Sequence, residues 1–291
     1  MEVRPLEIAT RRVRLADLVD LTKPRITLLV LITTLVGFYM ASTNGLRFVL
    51  LLHTIIGTAL VAGGASALNQ YVERELDALM VRTRNRPLPD GRVQPNDALL
   101  FSTIISAVGI GYLMFFVNLL TGLIGIFTLA GYVFVYTPLK TRTSLCTLIG
   151  AFPGAAPPLM GWTAARGELD AGALALFAIL FLWQMPHFFA IAWIFTEDYK
   201  RGGFLTHGSG VSTGRQIIFF CCVLIPISVL PTTLGLTGMT YLTGAILLGF
   251  VYLGYGSAVA LFRSNTHAQR LLRISVLYLP ALLMLMMIDK V

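Results

Sequence analysis

Charged residues are scarce in this chain of 291 residues. Asp, Glu, Lys and Arg make up 12% of it, against about 25% in an ordinary soluble domain. Hydrophobic residues make up 56%, and the mean hydropathy is +0.78. So small a charged fraction excludes an ordinary soluble domain and indicates an integral membrane protein.

Cysteine is also rare, with only Cys146, Cys221 and Cys222. None of the three belongs to a C-x-x-C pair, and all lie in or beside long apolar stretches. The sequence therefore indicates neither a zinc site nor a disulfide framework. We expect these cysteines to be small packing residues.

Long apolar stretches take the place of the missing charge. Crossing the hydrocarbon core of a bilayer takes about 20 residues of helix, and lipid offers no partner to a free backbone amide, so these stretches must be helices. The sequence has nine of them, at residues 26–42, 48–68, 98–117, 119–138, 144–163, 171–195, 216–234, 239–261 and 271–288. The predicted fold is therefore all-α, a polytopic bundle of about nine transmembrane helices.

The positions of Lys and Arg orient this bundle. If the N-terminus is cytoplasmic, all 22 of these residues except Arg47, Arg166 and Lys290 fall on the cytoplasmic side. The positive-inside rule thus predicts a cytoplasmic N-terminus and an external C-terminus, and a bacterial inner membrane fits best. The net charge of +8 then reports topology and attraction to anionic lipid, so we expect no nucleic-acid partner.

The chain is predicted to have one main domain. Residues 1–22 form a cytoplasmic N-terminal segment in which arginines are mixed with apolar residues, a pattern that makes it a candidate interfacial helix. No apolar core of a cleavable signal precedes the first span. Residues 23–291 are predicted to form a single transmembrane domain.

Asn69, Glu73 and Asp77 form a polar stripe at the end of the second span. On a helix, residues four apart are turned only about 40° from one another, so the three side chains lie on one face. Oxygen ligands gathered at a membrane surface are typical of a divalent metal site. The alternative is a solvated helix end. It is less favoured because Asn69 directly follows an apolar segment, where an amide without a partner is costly.

Basic residues follow the polar stripe. Arg82, Arg84 and Arg86 precede two prolines that end any helix, and Lys140 and Arg142 follow the fourth span. Each group taken alone is explained as a membrane anchor. Beside carboxylates, however, the forked donors of arginine suit phosphate groups, so the two loops together indicate a magnesium-diphosphate site.

A second long cytoplasmic loop is predicted at residues 196–215, four spans after the loop at residues 69–97. This spacing indicates a pseudo-repeat in which two equivalent corners face one central cavity, open to the cytoplasmic side. Glu197 and Asp198 lie at the second corner. They either supply further acidic groups or cap the helix end, and their spacing does not decide between these roles.

His187 lies inside the sixth apolar span, directly after Pro186. An ionisable group within the membrane indicates a functional site, or else a histidine whose hydrogen bonds are satisfied within the bundle. Residues 150–161, in the fifth span, contain small residues and three prolines. They predict a broken helix beside protein or a cavity, not lipid.

Together these residues resemble the UbiA-type intramembrane prenyltransferases, and within them the heme-directed branch. Most of the superfamily carries an Asp-rich second motif, where this chain has His187 and, near the end of that helix, only Glu197 and Asp198. The resemblance covers nearly the whole chain and rests on Leu21-Thr-Lys-Pro-Arg-Ile26, residues 69–86, Tyr136-Thr-Pro-Leu-Lys140, residues 150–162 and Pro186-His187-Phe188.

The resemblance implies transfer of the farnesyl group of farnesyl diphosphate to the 2-vinyl group of heme B, with addition of water and release of pyrophosphate. It also implies that Mg²⁺ binds the polar stripe, with Glu197 and Asp198 as candidates for a further metal site, and that His187 contacts the heme. The implied catalytic residues are Asn69, Glu73, Asp77 and His187, and the implied diphosphate-binding residues are Arg82, Arg86, Lys140 and Arg142. The implied partners are farnesyl diphosphate, heme B, the lipid bilayer and a downstream heme-modifying enzyme or terminal oxidase assembly factor.

Three other functions stay open at this point. One is a related prenyltransferase acting on a quinone or other aromatic precursor, against which His187 argues. Another is a secondary transporter, but transporters usually place polar ligands near the midplane, whereas these acids gather at one surface. The third is a heme-binding assembly factor without catalysis, which would not need the polar stripe.

Overall fold

The computed structural model describes residues 14–43, 45–205, 208 and 210–291. Within these residues the chain is helical. Apart from an isolated β-bridge between Thr237 and Lys290, they contain no β-structure. The predicted all-α class is confirmed. The helices are α1 (Leu15–Leu21), α2 (Pro24–Ala41), α3 (Phe48–Leu79), α4 (Pro95–Phe116), α5 (Leu119–Ala130), α6 (Thr137–Leu139), α7 (Cys146–Ala155), α8 (Pro157–Arg166), α9 (Ala171–Ile194), α10 (Thr196–Arg201), α11 (Val211–Ile227), α12 (Leu230–Thr233), α13 (Met239–Phe262) and α14 (Asn265–Ile288).

Eight helical segments among the described residues are long and apolar enough to cross a membrane. They match eight of the nine predicted spans, and the chain is a multi-pass membrane protein. A π-helical turn, Gly131–Tyr136, continues α5 toward α6 within one of them. The eight segments are Pro24–Ala41, Phe48–Leu79, Pro95–Phe116, Leu119–Leu139, Ala171–Ile194, Val211–Thr233, Met239–Phe262 and Asn265–Ile288.

The remaining predicted span, residues 144–163, is not a single helix. The prediction of one continuous helix across these residues was therefore wrong. Its residues belong to α7 and α8, which have ten residues each and meet at Ala156. Pro157 has no amide hydrogen to continue the bonding pattern of α7, so the helix stops there. The broken helix that the prolines predict is confirmed.

The helix α3 is much longer than its predicted span. Its 32 residues extend about 48 Å at 1.5 Å per residue, whereas the hydrocarbon core of a bilayer is about 30 Å thick. The last turns of α3 therefore project beyond the hydrocarbon. They carry the polar stripe to one surface of the bundle.

Small residues bring helices into close contact. At Gly161 in α8, an added Cβ would lie 1.9 Å from the Thr34 carbonyl oxygen of α2, and at Gly37 it would lie 2.2 Å from that of Pro158. Each long helix packs against the next along the chain, except that α7 and α8 lie between α5 and α9. Helix α2 also contacts α9 and α14, which closes the bundle. The core of the second half lies between α9, α11, α13 and α14.

The short helix α1 is held against the start of the bundle. Leu21 is fully buried with Ala67 and Leu88, and Asp17 pairs with Arg92. Leu15, in contrast, is exposed. The described part of the predicted N-terminal segment is thus helical and docked on the protein, while residues 1–13 of that prediction lie outside the described residues.

Candidate functional site

The polar stripe occupies the last three turns of α3. Asn69, Glu73 and Asp77 are 1%, 4% and 1% exposed. Glu75, on another face of the helix, is exposed and pairs with Arg74. The prediction that the three side chains share one face is confirmed, and that face points into the protein.

Each residue of the polar stripe contacts one cation. The cations come from three segments far apart in the sequence, so the fold assembles them. Of the three, Arg86 and Lys140 are predicted diphosphate-binding residues, and only Lys23 is new. The pairs are Lys23 Nζ with Asn69 Oδ1 at 2.8 Å, Lys140 Nζ with Glu73 Oε1 at 2.6 Å and Arg86 Nη1 with Asp77 Oδ2 at 2.6 Å.

Lys23 is the site residue that sequence reasoning missed. It precedes Pro24 at the start of α2, with φ 49° and ψ 66°, and a non-glycine residue in this left-handed region persists only where its surroundings hold it. Burial, followed by repulsion from Arg86 and Lys140, lowers the pKa of Lys23 to about 7. The available signal was its place in the Leu21–Ile26 motif, directly before a membrane helix.

Asp77 has a free carboxylate oxygen inside the protein. Its Oδ2 pairs with Arg86, but its Oδ1 is buried without a hydrogen-bond partner among the described residues. Leaving such an atom unpaired is costly. Together with Glu73 and Asn69 it forms a set of two carboxylates and one amide, which is the chemistry that Mg²⁺ prefers. The residues present therefore fit a divalent cation.

Protein ligands alone would not complete such a site. No cluster of three or more His, Cys, Asp or Glu side chains suited to a metal ion is present in the part of the chain that the structure describes. Mg²⁺ usually binds one or two carboxylates and takes its other ligands from substrate phosphates and water. The donor set is thus suited to an ion that arrives with a phosphate ligand.

The π-helical turn and the segment after it pack around the polar stripe. Tyr132 donates to Asn69 Oδ1 at 3.4 Å, and Asn69 Nδ2 donates to Thr137 Oγ1 at 3.2 Å. The Lys140 ammonium lies 4.5 Å from the centre of the Tyr136 ring. Burial alone would lower the pKa of Lys140, but the charge of Glu73, the neighbouring Tyr132 and the hydrogen bond to Glu73 together outweigh burial and raise it. The segment that follows the fourth predicted span thus lies beside the polar stripe, as the sequence predicts.

An apolar cavity of about 270 Å³ lies beside the polar stripe. Tyr132 and Tyr136 line it, and Tyr132 also donates to Asn69, whereas Pro153 and Pro157 line it from the broken pair α7 and α8. The prediction that the broken helix borders a cavity is confirmed. The cavity has the chemistry to hold a hydrocarbon chain whose polar end reaches the stripe.

The two predicted corners contact each other. Asp198 accepts hydrogen bonds from the backbone amides of Val81 at 3.2 Å and Arg82 at 3.3 Å, and it pairs with Arg201. Burial would raise the pKa of Asp198, but these three donors outweigh burial and lower it. Asp198 therefore holds the loop that follows the polar stripe.

Three other predicted site residues make no direct contact with the polar stripe among the described residues. Glu197 is exposed and pairs with Lys200 at 2.9 Å. The Arg82 guanidinium lies over the rings of Phe195 and Tyr199, whereas Arg142 is exposed. Their metal and diphosphate roles stay predictions.

His187 lies on α9 and faces α14. Its Nδ1 is 2.7 Å from Ser275 Oγ, and its ring stacks on Trp183 with centroids 5.2 Å apart. The next residue, Phe188, lines the apolar cavity. His187 makes no direct contact with the polar stripe, so its heme-binding role also stays a prediction.

Comparison with known proteins places these features in a family. The model of the UbiA prenyltransferase family matches residues 30–279. The chain is 48% identical to the protoheme IX farnesyltransferase of Solibacter usitatus (strain Ellin6076), an alignment that covers 94% of this chain and 98% of the relative. It is 44% identical to that of Myxococcus xanthus (strain DK1622), with 95% of each chain covered.

Solved structures share the fold at low sequence identity. A digeranylgeranylglyceryl phosphate synthase superposes with a TM-score of 0.80 at 16% identity, over 94% of this chain and 98% of the other. A UbiA homolog from Archaeoglobus fulgidus bound to GPP and Mg²⁺ gives 0.61 at 14% identity, over 93% and 99%. The predicted UbiA-type fold is confirmed.

Proposed function

The chain belongs to the UbiA prenyltransferase family, and we propose that it transfers the farnesyl group of farnesyl diphosphate to the 2-vinyl group of heme B. Water is added in the same reaction, and the products are heme O and pyrophosphate. The observation that carries the proposal is the pairing of the polar stripe with three cations beside an apolar cavity. The two protoheme IX farnesyltransferases at 48% and 44% identity support the choice of heme as acceptor.

Lys23, Lys140 and Arg86 bind the diphosphate. In the free protein they compensate the charges of the polar stripe, because a buried carboxylate without a partner is strongly unfavourable. A bound diphosphate offers these cations new oxygen acceptors. Asn69, Glu73 and Asp77 would hold Mg²⁺, which would neutralise charge on the departing pyrophosphate. Arg82 and Arg142 contribute further positive charge at the same surface.

The apolar cavity holds the farnesyl chain and controls its reactivity. The C1–O bond of the allylic diphosphate breaks, and its electron pair leaves with pyrophosphate. Tyr132 and Tyr136 present aromatic rings at the polar end of the cavity, where they stabilise the positive charge on C1. The apolar lining keeps water away from C1, where it would otherwise quench the cation before the vinyl group reacts.

The vinyl group of heme B completes the reaction. Its π electrons form the new bond to C1, and water adds to the other vinyl carbon and loses a proton. His187 positions the heme. Asp198 positions the loop at residues 81–82, and the pair Glu197 and Asp198 is a candidate for a further metal site.

The reaction takes place at the cytoplasmic surface of a bacterial inner membrane, with the N-terminus cytoplasmic and the C-terminus outside. The positions of Lys and Arg support this orientation. The farnesylated product is more apolar than heme B, so it stays in the bilayer. A downstream heme-modifying enzyme or oxidase assembly factor would take it up there.

A reconstitution assay tests the proposal. The purified full-length chain is incubated in detergent with farnesyl diphosphate, Mg²⁺ and either heme B or 4-hydroxybenzoate, and products are identified by mass spectrometry. We expect heme O and pyrophosphate with heme B only. Prenylated 4-hydroxybenzoate, or the absence of heme O, would contradict the proposal.

A matched pair of variants tests the site in the same assay. Glu73→Gln removes a buried carboxylate of the polar stripe, and Glu75→Gln removes an exposed one from the same helix. We expect the first to lower heme O formation at least 100-fold, since removing one electrostatic contribution of this kind costs on the order of 10²–10³ in rate. The second should be nearly neutral.

A further inference from the structure

Ser275, in the middle of α14, faces the imidazole of His187. His187 Nδ1 lies 2.7 Å from Ser275 Oγ, and Ser275 Oγ lies 2.6 Å from the Leu272 carbonyl oxygen. Ser275 is fully buried, and its own carbonyl accepts a hydrogen bond from Trp183 Nε1 at 2.9 Å. The same Trp183 stacks on the imidazole. The imidazole is therefore held both at one nitrogen and along one face.

The hydrogen bonds of Ser275 fix which nitrogen of His187 carries the proton. A serine hydroxyl has one hydrogen, and a backbone carbonyl can only accept. The 2.6 Å contact with the Leu272 carbonyl therefore uses the hydrogen of Ser275. The opposite assignment would set two lone pairs against each other at that distance. Ser275 Oγ must then accept from His187, so the Nδ1 of His187 is protonated.

The other nitrogen, Nε2, is left with a lone pair. It has no hydrogen-bond partner within the described ranges of the chain, and no acidic side chain there contacts the ring to favour a doubly protonated imidazole. A neutral imidazole whose other N–H is hydrogen-bonded to an oxygen is the usual form of histidine that ligates a metal. Phe188, the next residue, lines the apolar cavity, so His187 lies on a helix that borders the cavity proposed for the prenyl chain.

We propose that Ser275 is a positioning residue that holds His187 as the Nδ1–H tautomer, so that Nε2 is available to ligate the iron of the porphyrin acceptor. The inference rests on the proposed function, in which that acceptor is heme B. Ser275 does not touch the substrate. Its role is to fix the orientation and basicity of the ligand.

Binding of two porphyrins separates ligation from packing. Heme B and metal-free protoporphyrin IX share the ring and the propionates, but only heme B has an iron to ligate. The affinity of the purified full-length chain for each is measured in detergent, together with the Soret band of the heme complex. The variants are Ser275→Ala, Ser275→Thr and His187→Ala.

We expect the unaltered chain to bind heme B more tightly than the metal-free ring. Ser275→Ala should weaken heme B binding about 10-fold, the lower end for loss of a partner of a metal ligand, shift the Soret band and leave binding of the metal-free ring unchanged. Ser275→Thr, which keeps the hydroxyl, should restore heme affinity. His187→Ala should abolish the preference for heme B.

Two results would overturn the inference. One is equal affinity of the unaltered chain for both porphyrins, and the other is a Ser275→Ala variant that keeps its heme affinity or loses affinity for both rings alike. Should Ser275→Ala fail to fold, Ser275→Cys, with a weaker acceptor of similar size, must show the same selective loss. Failure of the unaltered chain to make heme O would instead contradict the proposed function, whereas heme O formation with no effect at Ser275 would contradict this inference alone.

Discussion

Lys140 Nζ lies 2.6 Å from Glu73 Oε1, and these side chains are only 14% and 5% exposed. Little water reaches either side chain, so the charge of each is compensated mainly by the charge of the other. The pair connects the polar stripe on α3 with the segment after the π-helical turn, 67 residues later in the chain. The pair therefore stabilises the free protein, and under the proposed function its lysine also binds the diphosphate.

Because the pair has two roles, a double-mutant cycle should change stability and activity independently. Lys140→Met leaves Glu73 buried without its partner and should lower the free energy of unfolding by about 3 kcal/mol. The double variant Lys140→Met, Glu73→Gln removes both charges and should recover most of that stability while staying inactive. Thermal unfolding in detergent and heme O formation measure the two properties. Activity in the stable double variant would contradict the assigned roles.

Lys23 predicts a pH dependence of diphosphate binding. Its pKa of about 7 means that the free protein loses this charge as the pH rises above neutrality. Since diphosphate favours the charged form, affinity for pyrophosphate should fall between pH 6.5 and 8.5. In Lys23→Arg the side chain stays charged throughout this range, so affinity should fall less. Titration of pyrophosphate itself affects both proteins equally, so the comparison controls for it. Equal pH profiles of the two proteins would contradict the prediction.

The lowered pKa of Lys23 also makes the stability of the fold depend on pH, with the opposite sign to the binding of diphosphate. The unfolded chain binds more protons than the folded one between pH 7 and the ordinary lysine pKa of 10.5. Stability therefore rises with pH across this window as far as Lys23 determines it. A Lys23→Met variant, which has no proton to lose, should show a smaller rise in thermal stability between pH 7 and pH 9.

Local sequence patterns were sufficient for the fold class and for the polar stripe. Apolar length predicts membrane helices, and a spacing of four places Asn69, Glu73 and Asp77 on one face without any knowledge of tertiary structure. Hydropathy alone, however, merges α7 and α8 into one stretch, because a proline break does not reduce apolar content. The prolines indicate the break, but not that two separate helices result.

Contacts between distant segments were beyond local patterns. Lys23 reaches Asn69, 46 residues away, only because the chain turns between α1 and α2 with Lys23 in the left-handed region. Similarly, spacing alone did not decide whether Asp198 is a metal ligand or caps its own helix. Its observed partners Val81 and Arg82 lie more than 110 residues earlier, so neither interpretation anticipated this contact.

Asp198 allows loop positioning to be distinguished from metal binding. Asp198→Ala removes the acceptor for the Val81 and Arg82 amides, and each lost partner costs about 1–3 kcal/mol. We expect faster tryptic cleavage at Arg82 to Arg86 and lower heme O formation, but an unchanged Mg²⁺ concentration for half-maximal rate. Glu73→Gln should raise that concentration. A similar rise in Asp198→Ala would instead assign Asp198 to a metal site.

Close packing of α2 against α8 predicts that Gly161 tolerates no side chain. A Cβ at Gly161 would lie 1.9 Å from the Thr34 carbonyl oxygen and 2.7 Å from the Phe38 amide nitrogen, both backbone atoms that cannot rotate away. Gly161→Ala should therefore force the helices apart and lower stability by about 1–3 kcal/mol, as overpacking does elsewhere.

Gly111 in α4 is the matched control, because an added Cβ there meets nothing within 4 Å. Gly111→Ala should be neutral or slightly stabilising, since alanine favours a helix more than glycine does. Thermal unfolding of both variants in one detergent compares them directly. Since α2 also lines the apolar cavity through Thr27 and Val30, Gly161→Ala should lower farnesyl transfer as well. Equal stability and activity of the two variants would mean that α2 and α8 are not held as closely as this packing requires.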